Sequence, residues 1–500
     1  MAESCTAEAQ FIILESLLRP DEIIRPTSPT YQSSIQTWAA QKQLKPRIVL
    51  RPTSIDSLSK TIAHLYSINL DFAIYGHGFM SASAKDVLVN MSAFDGFHFD
   101  RHSELATIGA GQTWSDVYRK LSDAAPGYGK MNEVVGARTP CVGIAGTIIS
   151  GGVSWLSREY GCISDPANML DAKVVKYDGS VVWASSEPDL LWALRGGGGG
   201  FGGRQSKRFR CDTKCMVTNT QGVVLVEVVL RVFPYPQNIW AGPILIPREQ
   251  LEVVANGMAN FVNQPLDPKV TMFLYVVRKR LLESIGAASD MLVLHAFDAC
   301  REAHGRTNFQ WALNIPGSID QTKVTTLSGV VDLQGKFTPL QAHIVKGTMK
   351  QFWSPLLLQE ISKEAIINAV QWSDNIGKLD ESLGDCTYLI FEPLSSRDPG
   401  GGVSSCAWPR PPGTKHILLL GTGCPSDAGR EQENLARELA IKAGPTVLGE
   451  DADLNYLPNG FEDLHDAEKI WGPHFAKLQA LRRQYDPMSR FKAAINPSDG

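Results

Sequence analysis

The chain has 500 residues, 43% of them hydrophobic and 20% charged, with a formal net charge of -4. That length is too great for one simple core and predicts two or three domains, while a near-neutral charge with no long basic run excludes nucleic acid as a main partner, because phosphate binding needs concentrated positive charge. No stretch is long and apolar enough to cross a bilayer, and the nine cysteines have neither a disulfide framework nor a zinc-ligand spacing, so no metal is expected.

Taken in order, residues 1 to 24 read as a helical or loose leader. Phe11-Ile12-Ile13-Leu14 is too short for a secretory signal and is followed at once by Glu15, which predicts a cytoplasmic location with reduced thiols. Pro26, Pro29 and Pro46 punctuate the approach to Ile48-Val49-Leu50. Ser54 or Asp56 then caps a helix in which Leu58, Ile62, Leu65 and Tyr66 recur at helical spacing. Strand-like runs follow at Phe72–Tyr75, Val87–Asn90 and Ala106–Ile108, then a helix from Trp114 to Leu121.

Glycine now dominates, at Gly109 and Gly111, from Gly143 to Gly152, and from Gly196 to Gly200. Without a side chain, glycine lets backbone amides reach an anionic or planar ligand. Several such clusters interleaved with hydrophobic runs predict a large cofactor lying across two small mixed lobes. The spacing of Gly143, Gly146 and Gly151 is not the GxGxxG of a dinucleotide fold. Residues 203 to 220 open with the basic run Arg204–Arg210 and read as a surface excursion before the strand Gly222–Leu230. Trp155, Trp183, Trp192 and Trp471 read as core aromatics.

Pro234 and Pro236 mark a boundary, with a second domain from about Trp240. Strands are expected at Thr271–Val277, Met291–Ala296, Cys386–Phe391 and His416–Leu420, and helices at Arg248–Val262, Pro339–Phe352 and Lys363–Ile376. This pattern predicts an antiparallel sheet covered on one face. If that sheet roofs a ligand, Glu392 ends one of its strands. A last helix from Ala467 to Tyr485 stops at Asp486-Pro487.

Four pieces in this order, Val142–Gly146 with Ser150-Gly151-Gly152, Arg158–Gly161 with Asp165 and Asp171, Leu191–Gly200, and Tyr485-Asp486-Pro487, resemble the berberine-bridge-enzyme-like flavoproteins of the vanillyl-alcohol-oxidase group. The resemblance implies an α+β chain: a two-lobed PCMH-type FAD-binding domain over residues 25–235, completed by 455–497, and an α/β substrate domain with an antiparallel sheet over 236–454. It implies FAD as cofactor and an FAD-dependent oxidase or dehydrogenase. The substrate is expected to be a small organic alcohol, sugar or amine, oxidised at carbon by hydride transfer to flavin N5 in secondary metabolism. Molecular oxygen is a candidate electron acceptor. The alternative is a flavin-binding relative with weak or no activity, its adenine side damaged by the 203–220 excursion.

By the same resemblance, the backbone of Gly143, Ile144, Ala145, Gly146 and Thr147 faces the pyrophosphate, and Tyr75, Gly76, His77, Gly78 and Phe79 approach from the other lobe. Ser150 and Gly151 share that wall, Tyr160 and Gly161 shape the path beside the ring, Asp165 meets a ribose or orients a loop, and Val223 lines the adenine region. Many relatives bond a histidine to the flavin. An ungapped register puts Tyr75 on the usual arginine and Phe79 on that histidine, giving non-covalent FAD; a shift of two makes His77 the covalent ligand. Thr139 stands where some relatives carry a second, cysteinyl tether, so no such link is expected and Cys141 reads as a packing residue. Tyr456 and Glu392 are the candidate proton acceptors, and Arg195 a structural fork at the lobe seam.

Overall fold

The computed structural model describes residues 2–79, 83–124, 130–198, 222–279, 289–337, 346–393, 405–408, 410, 416–457, 464–465 and 467–491. Three sheets carry the architecture. In the first, four strands lie in the order Ile23–Ile24, Ile48–Leu50, Val87–Asn90, Phe72–Tyr75, and the last three run parallel. Parallel neighbours need a crossover, supplied by the helix Ile55–Ser67, whose Ser54 cap accepts from the Ser57 amide and whose Leu58, Ile62 and Leu65 are buried.

The second sheet is antiparallel and is built around Val223–Pro236. This 14-residue strand pairs with Leu105–Gly109 on one side and Met169–Lys176 on the other, and its far end pairs with Lys130–Val134. Pro234 and Pro236 do not interrupt it. The chain turns immediately afterwards, and Ile239 opens the first strand of the third sheet.

That third sheet has nine strands, all antiparallel, with Val270–Val277, Tyr388–Pro393, His416–Pro425 and Met349–Leu358 side by side at its centre. One face carries the helices Leu251–Val262, Lys363–Leu379 and Arg430–Leu448. The other meets the two lobes, where Trp155 packs on Phe273 and Phe297 with ring centres 4.1 and 5.4 Å apart.

Three expectations need correction. The segment read as a helix over Pro339–Phe352 is a strand from Met349, and the helix lies earlier, at Leu327–Phe337; residues 338–345 fall outside the described set. Buried on both faces, Phe352 to Leu358 shows no alternation to separate strand from helix. The helix expected from Ala467 to Tyr485 breaks at Gly472-Pro473 into Ala467–Trp471 and Phe475–Tyr485. Trp183 is 38% exposed, with Lys173 over its ring, whereas Trp155, Trp192 and Trp471 are buried.

Candidate active site

Between the two lobes and the open face of the third sheet lies a cleft with about 1050 Å³ of empty space, the open solvent at its mouth included. Its floor is main chain: Gly76-His77-Gly78-Phe79 follows a strand of the first sheet, and Val142-Gly143, Ala145-Gly146-Thr147, Ser150 and Gly152 come from the short helix Ile144–Ile149 and its flanks. Its ceiling is the lid: Trp353 and Pro355 from one strand, Ile417 and Leu419 from the next, and Glu392 beyond them. A narrow gap shares Gly76, Ala110 and Ala145 with the cleft and reaches between the lobes to Leu225.

The bare backbone is required here. A Cβ on Gly143 would lie 2.7 Å from the His77 ring, while one on Gly76 would meet nothing within 4 Å, so that position opens directly onto empty space. Gly78 and Gly152 hold φ of 70° and 68°, a region other residues rarely adopt. His77 Nε2 lies 2.8 Å from the Gly111 carbonyl and donates to it. Burial lowers its pKa and the Lys346 charge lowers it further, against the opposing pull of that carbonyl, so the ring is neutral. Lys346 donates from Nζ to the His77 carbonyl at 2.6 Å. The Phe79 ring lies between Trp38 and Trp353, with centres 4.9 and 5.4 Å away, joining floor to lid.

The one ion pair among the residues lining the cleft is Arg138 with Glu392, 10% and 4% exposed at their side chains. Arg138 follows Gly136-Ala137 on the approach to the glycine wall, and Glu392 is the penultimate residue of its strand, so the pair ties floor to ceiling.

Of the residues expected to hold cofactor or act in catalysis, Gly76, His77, Gly78, Phe79, Gly143, Ala145, Gly146, Thr147, Ser150 and Glu392 line this cleft. The others do not. Tyr75 points the opposite way and donates its hydroxyl to the Gln36 carbonyl at 2.7 Å, bracing the Gly78 turn. Ile144 is buried in the core, and Gly151 is covered by Trp408. Tyr160 stacks on Phe233 at 4.0 Å. Gly161, at φ 83°, faces the carboxylate of Asp165, which accepts from the Cys162 amide and pairs with Arg410, so Asp165 orients its loop. Val223 is buried opposite Lys176, two residues from the gap-lining Leu225. Tyr456 sits on a short outer strand with its ring stacked on His465 at 3.6 Å.

Arg195 does hold carbonyls, those of Met169 and Leu170. Cys141 is exposed and is not a packing residue. The six cysteines with described side chains are free thiols. Arg138, Lys346 and Trp353 are the site residues that sequence reasoning missed. Only Arg138 left a signal, as a lone cation among small residues beside the glycine wall.

Comparison with known proteins agrees with this fold. An FAD binding domain matches residues 46–185. The FAD-dependent monooxygenase tpcD of Cochliobolus heterostrophus is 31% identical over 246 residues, 47% of this chain, and the chain spans only 42% of that relative's length. The (R)-6-hydroxynicotine oxidase of Paenarthrobacter nicotinovorans is 23% identical over 95% of this chain and 96% of its own. A solved berberine bridge enzyme variant superposes with a TM-score of 0.73 at 14% identity, covering 97% of this chain and 99% of that one. The chain therefore has the fold of the berberine-bridge-enzyme-like FAD-linked oxidoreductases. It carries an FAD-binding domain of that class, and FAD is its cofactor. Among the described residues no helix is long and apolar enough to cross a membrane.

Proposed function

We propose that this chain binds FAD non-covalently along the glycine floor and oxidises a small, largely apolar organic molecule beneath the lid, with Glu392 as general base. The observation that carries this reading is the Arg138–Glu392 pair, which joins an otherwise apolar ceiling to the wall of bare backbone in the same cleft. FAD, when bound, supplies the hydride acceptor at N5. The amides around Gly143 and Gly146 would face the pyrophosphate, and the gap running to Leu225 would take the adenine side, with Val223 behind it. Phe79 occupies the position of the linking histidine and offers no nucleophile. His77 is the alternative ligand, but its Nε2 is already engaged by Gly111.

Glu392 would accept the proton of a substrate O–H or N–H as the adjacent C–H is oxidised, held in place by Arg138. Phe79, Trp353, Ile417 and Leu419 exclude water around it. Tyr456 would steady the lid through His465 rather than meet substrate. On this reading residues 25–235 with 455–497 form the flavin unit and 236–454 the substrate unit. Oxygen is the expected final acceptor and secondary metabolism the setting, in keeping with fungal monooxygenase relatives.

The test has two stages. After acid precipitation, flavin colour should remain in the supernatant; colour on the pellet assigns a covalent link. Glu392→Gln should then retain FAD but reduce it with alcohol or amine substrates about 10²–10⁴-fold more slowly. A protein that takes up no FAD, or a Glu392→Gln enzyme reduced at the wild-type rate, defeats the reading.

A further inference from the structure

Arg138 is only half used by the protein. One nitrogen, Nη2, pairs with Glu392, and the guanidinium carbon lies 5.2 Å from the centre of the Phe273 ring. The other terminal nitrogen, Nη1, is buried and has no hydrogen-bond partner among the described residues. A guanidinium has no means of shedding its proton, so a dry Nη1–H without an acceptor is a standing cost. Much of the cleft that Arg138 lines is apolar, with Val153, Trp353, Ile417 and Leu419 on its walls and the Thr139 hydroxyl next along the chain. The hydroxyl of Tyr388, which feels the charge of Arg138, is likewise buried and without a partner among the described residues. Burial pushes that phenol's pKa far up, opposed by the charge of Arg138, so it remains a donor. Arg138 lines the cleft, so its unmet donor calls for an oxygen that arrives there with a ligand.

We propose that the substrate carries, besides the carbon at which it is oxidised, a neutral carbonyl oxygen that accepts a hydrogen bond from Arg138, its apolar body lying against Trp353, Ile417 and Leu419. This rests on the cleft being the substrate site. A neutral group is specified because Glu392 already places a negative charge on the same guanidinium, and a second carboxylate would be repelled in this poorly solvated setting. A carbonyl of the flavin ring offers the same chemistry, and the experiment must separate the two sources.

FAD-loaded, oxidised protein is titrated with acetophenone, ethylbenzene or benzoate, and binding is read from the shift of the flavin absorption band, with no turnover required. Acetophenone should bind most tightly. Arg138→Lys keeps a cation beside Glu392 but gives up the planar second amine. It should weaken acetophenone about tenfold or more and leave ethylbenzene within about twofold, with flavin content unchanged. Arg138→Met should behave the same way if it folds, and Glu392→Gln should raise the affinity for benzoate. Equal losses for acetophenone and ethylbenzene, or no preference for acetophenone in the wild type, overturn the proposal. Loss of FAD from the Arg138→Lys protein also overturns it, by assigning the guanidinium to the cofactor. Failure of every alcohol and amine to reduce the flavin, with carbonyl selectivity intact, would sink the oxidoreductase reading and leave this one standing.

Discussion

Glu133 shows how a single residue sets a pH dependence. It lies opposite Phe233 on the short strand beside Val223–Pro236 and is 3% exposed. Burial raises its pKa from 4.5 to about 8, so the folded chain keeps a proton there that the unfolded chain releases. For a carboxyl with a raised folded-state value, stability is fully present below pH 4.5 and is lost as pH climbs through about 8. A loss on the order of several kcal/mol follows for so large a displacement. Glu133→Gln removes the penalty. Its melting temperature should match wild type near about pH 5 and exceed it clearly by about pH 8; an equal difference at both would show that the proton is not held. The sequence announced nothing of this, because a Glu between Asn132 and Val134 looks solvated until the third neighbour, Tyr118, is known. Residue-level legibility was best where chemistry forces identity. Gly76, Gly143 and Gly146 line the cleft, and glycine gathered at a few places is visible as composition. It was worst for Arg138 and Trp353, whose importance depends on a strand more than 200 positions away in one case and on which face of a doubly buried strand is used in the other.

Elements were legible where a cap and an apolar stripe, or turn residues bounding an apolar run, mark them. The helix Ile55–Ser67 has a serine cap and a clean apolar stripe, and the lid strands Val270–Val277 and Met291–Asp298 are dense apolar runs bounded by turns. Met349–Leu358 was misread, and Arg430–Leu448 was not recognised because its core face is mostly alanine and it contains Pro445. Residues 405–408 and 410 were another blind spot, with a structural role of their own. Ala407 donates to the Arg195 carbonyl, Trp408 covers Gly151 and Gly196, and Arg410 reaches the fully buried Asp165 and the sulfur of Cys162. This piece of the lid is thereby fastened to the wall of the flavin lobe. Removing the cation strands a buried carboxylate, so Arg410→Met should cost about 3–5 kcal/mol. Adding Asp165→Asn should recover most of it, since the charge is then gone. Denaturation midpoints of the two variants decide the matter: a double variant no better than the single one would mean that packing on Trp408, not charge, is what was lost.

At the scale of the whole molecule, the last helix and the residues after it tie the two lobes together. Phe475–Tyr485 packs Leu478 against Gly197, and the Tyr485 hydroxyl donates to Glu187 at 2.5 Å. Beyond it, Arg490 donates to the Leu65 and Leu70 carbonyls, the Met488 amide donates to the Tyr66 hydroxyl, and the Phe491 ring packs against Tyr66 and Phe72. Arg482 and Asp486 form an ion pair, 2% and 0% exposed, whose charges are compensated by each other, by the surrounding backbone and by the Tyr66 hydroxyl. The first lobe therefore lacks part of its core until the C-terminal segment arrives, more than 400 residues later. That long loop closure must be completed before its contacts contribute. A chain cut after residue 466 exposes Phe72 and Tyr66 and leaves Glu187 and Gly222 uncovered, so it should be recovered aggregated or without FAD. Tyr485→Phe in the full chain should lose only about 1 kcal/mol and bind FAD normally. Flavin-to-protein ratio and elution volume on gel filtration read both outcomes. If the truncated chain eluted as a monomer with a full complement of FAD, the C-terminal segment would be an ornament of the fold, and the flavin unit would be continuous in sequence after all.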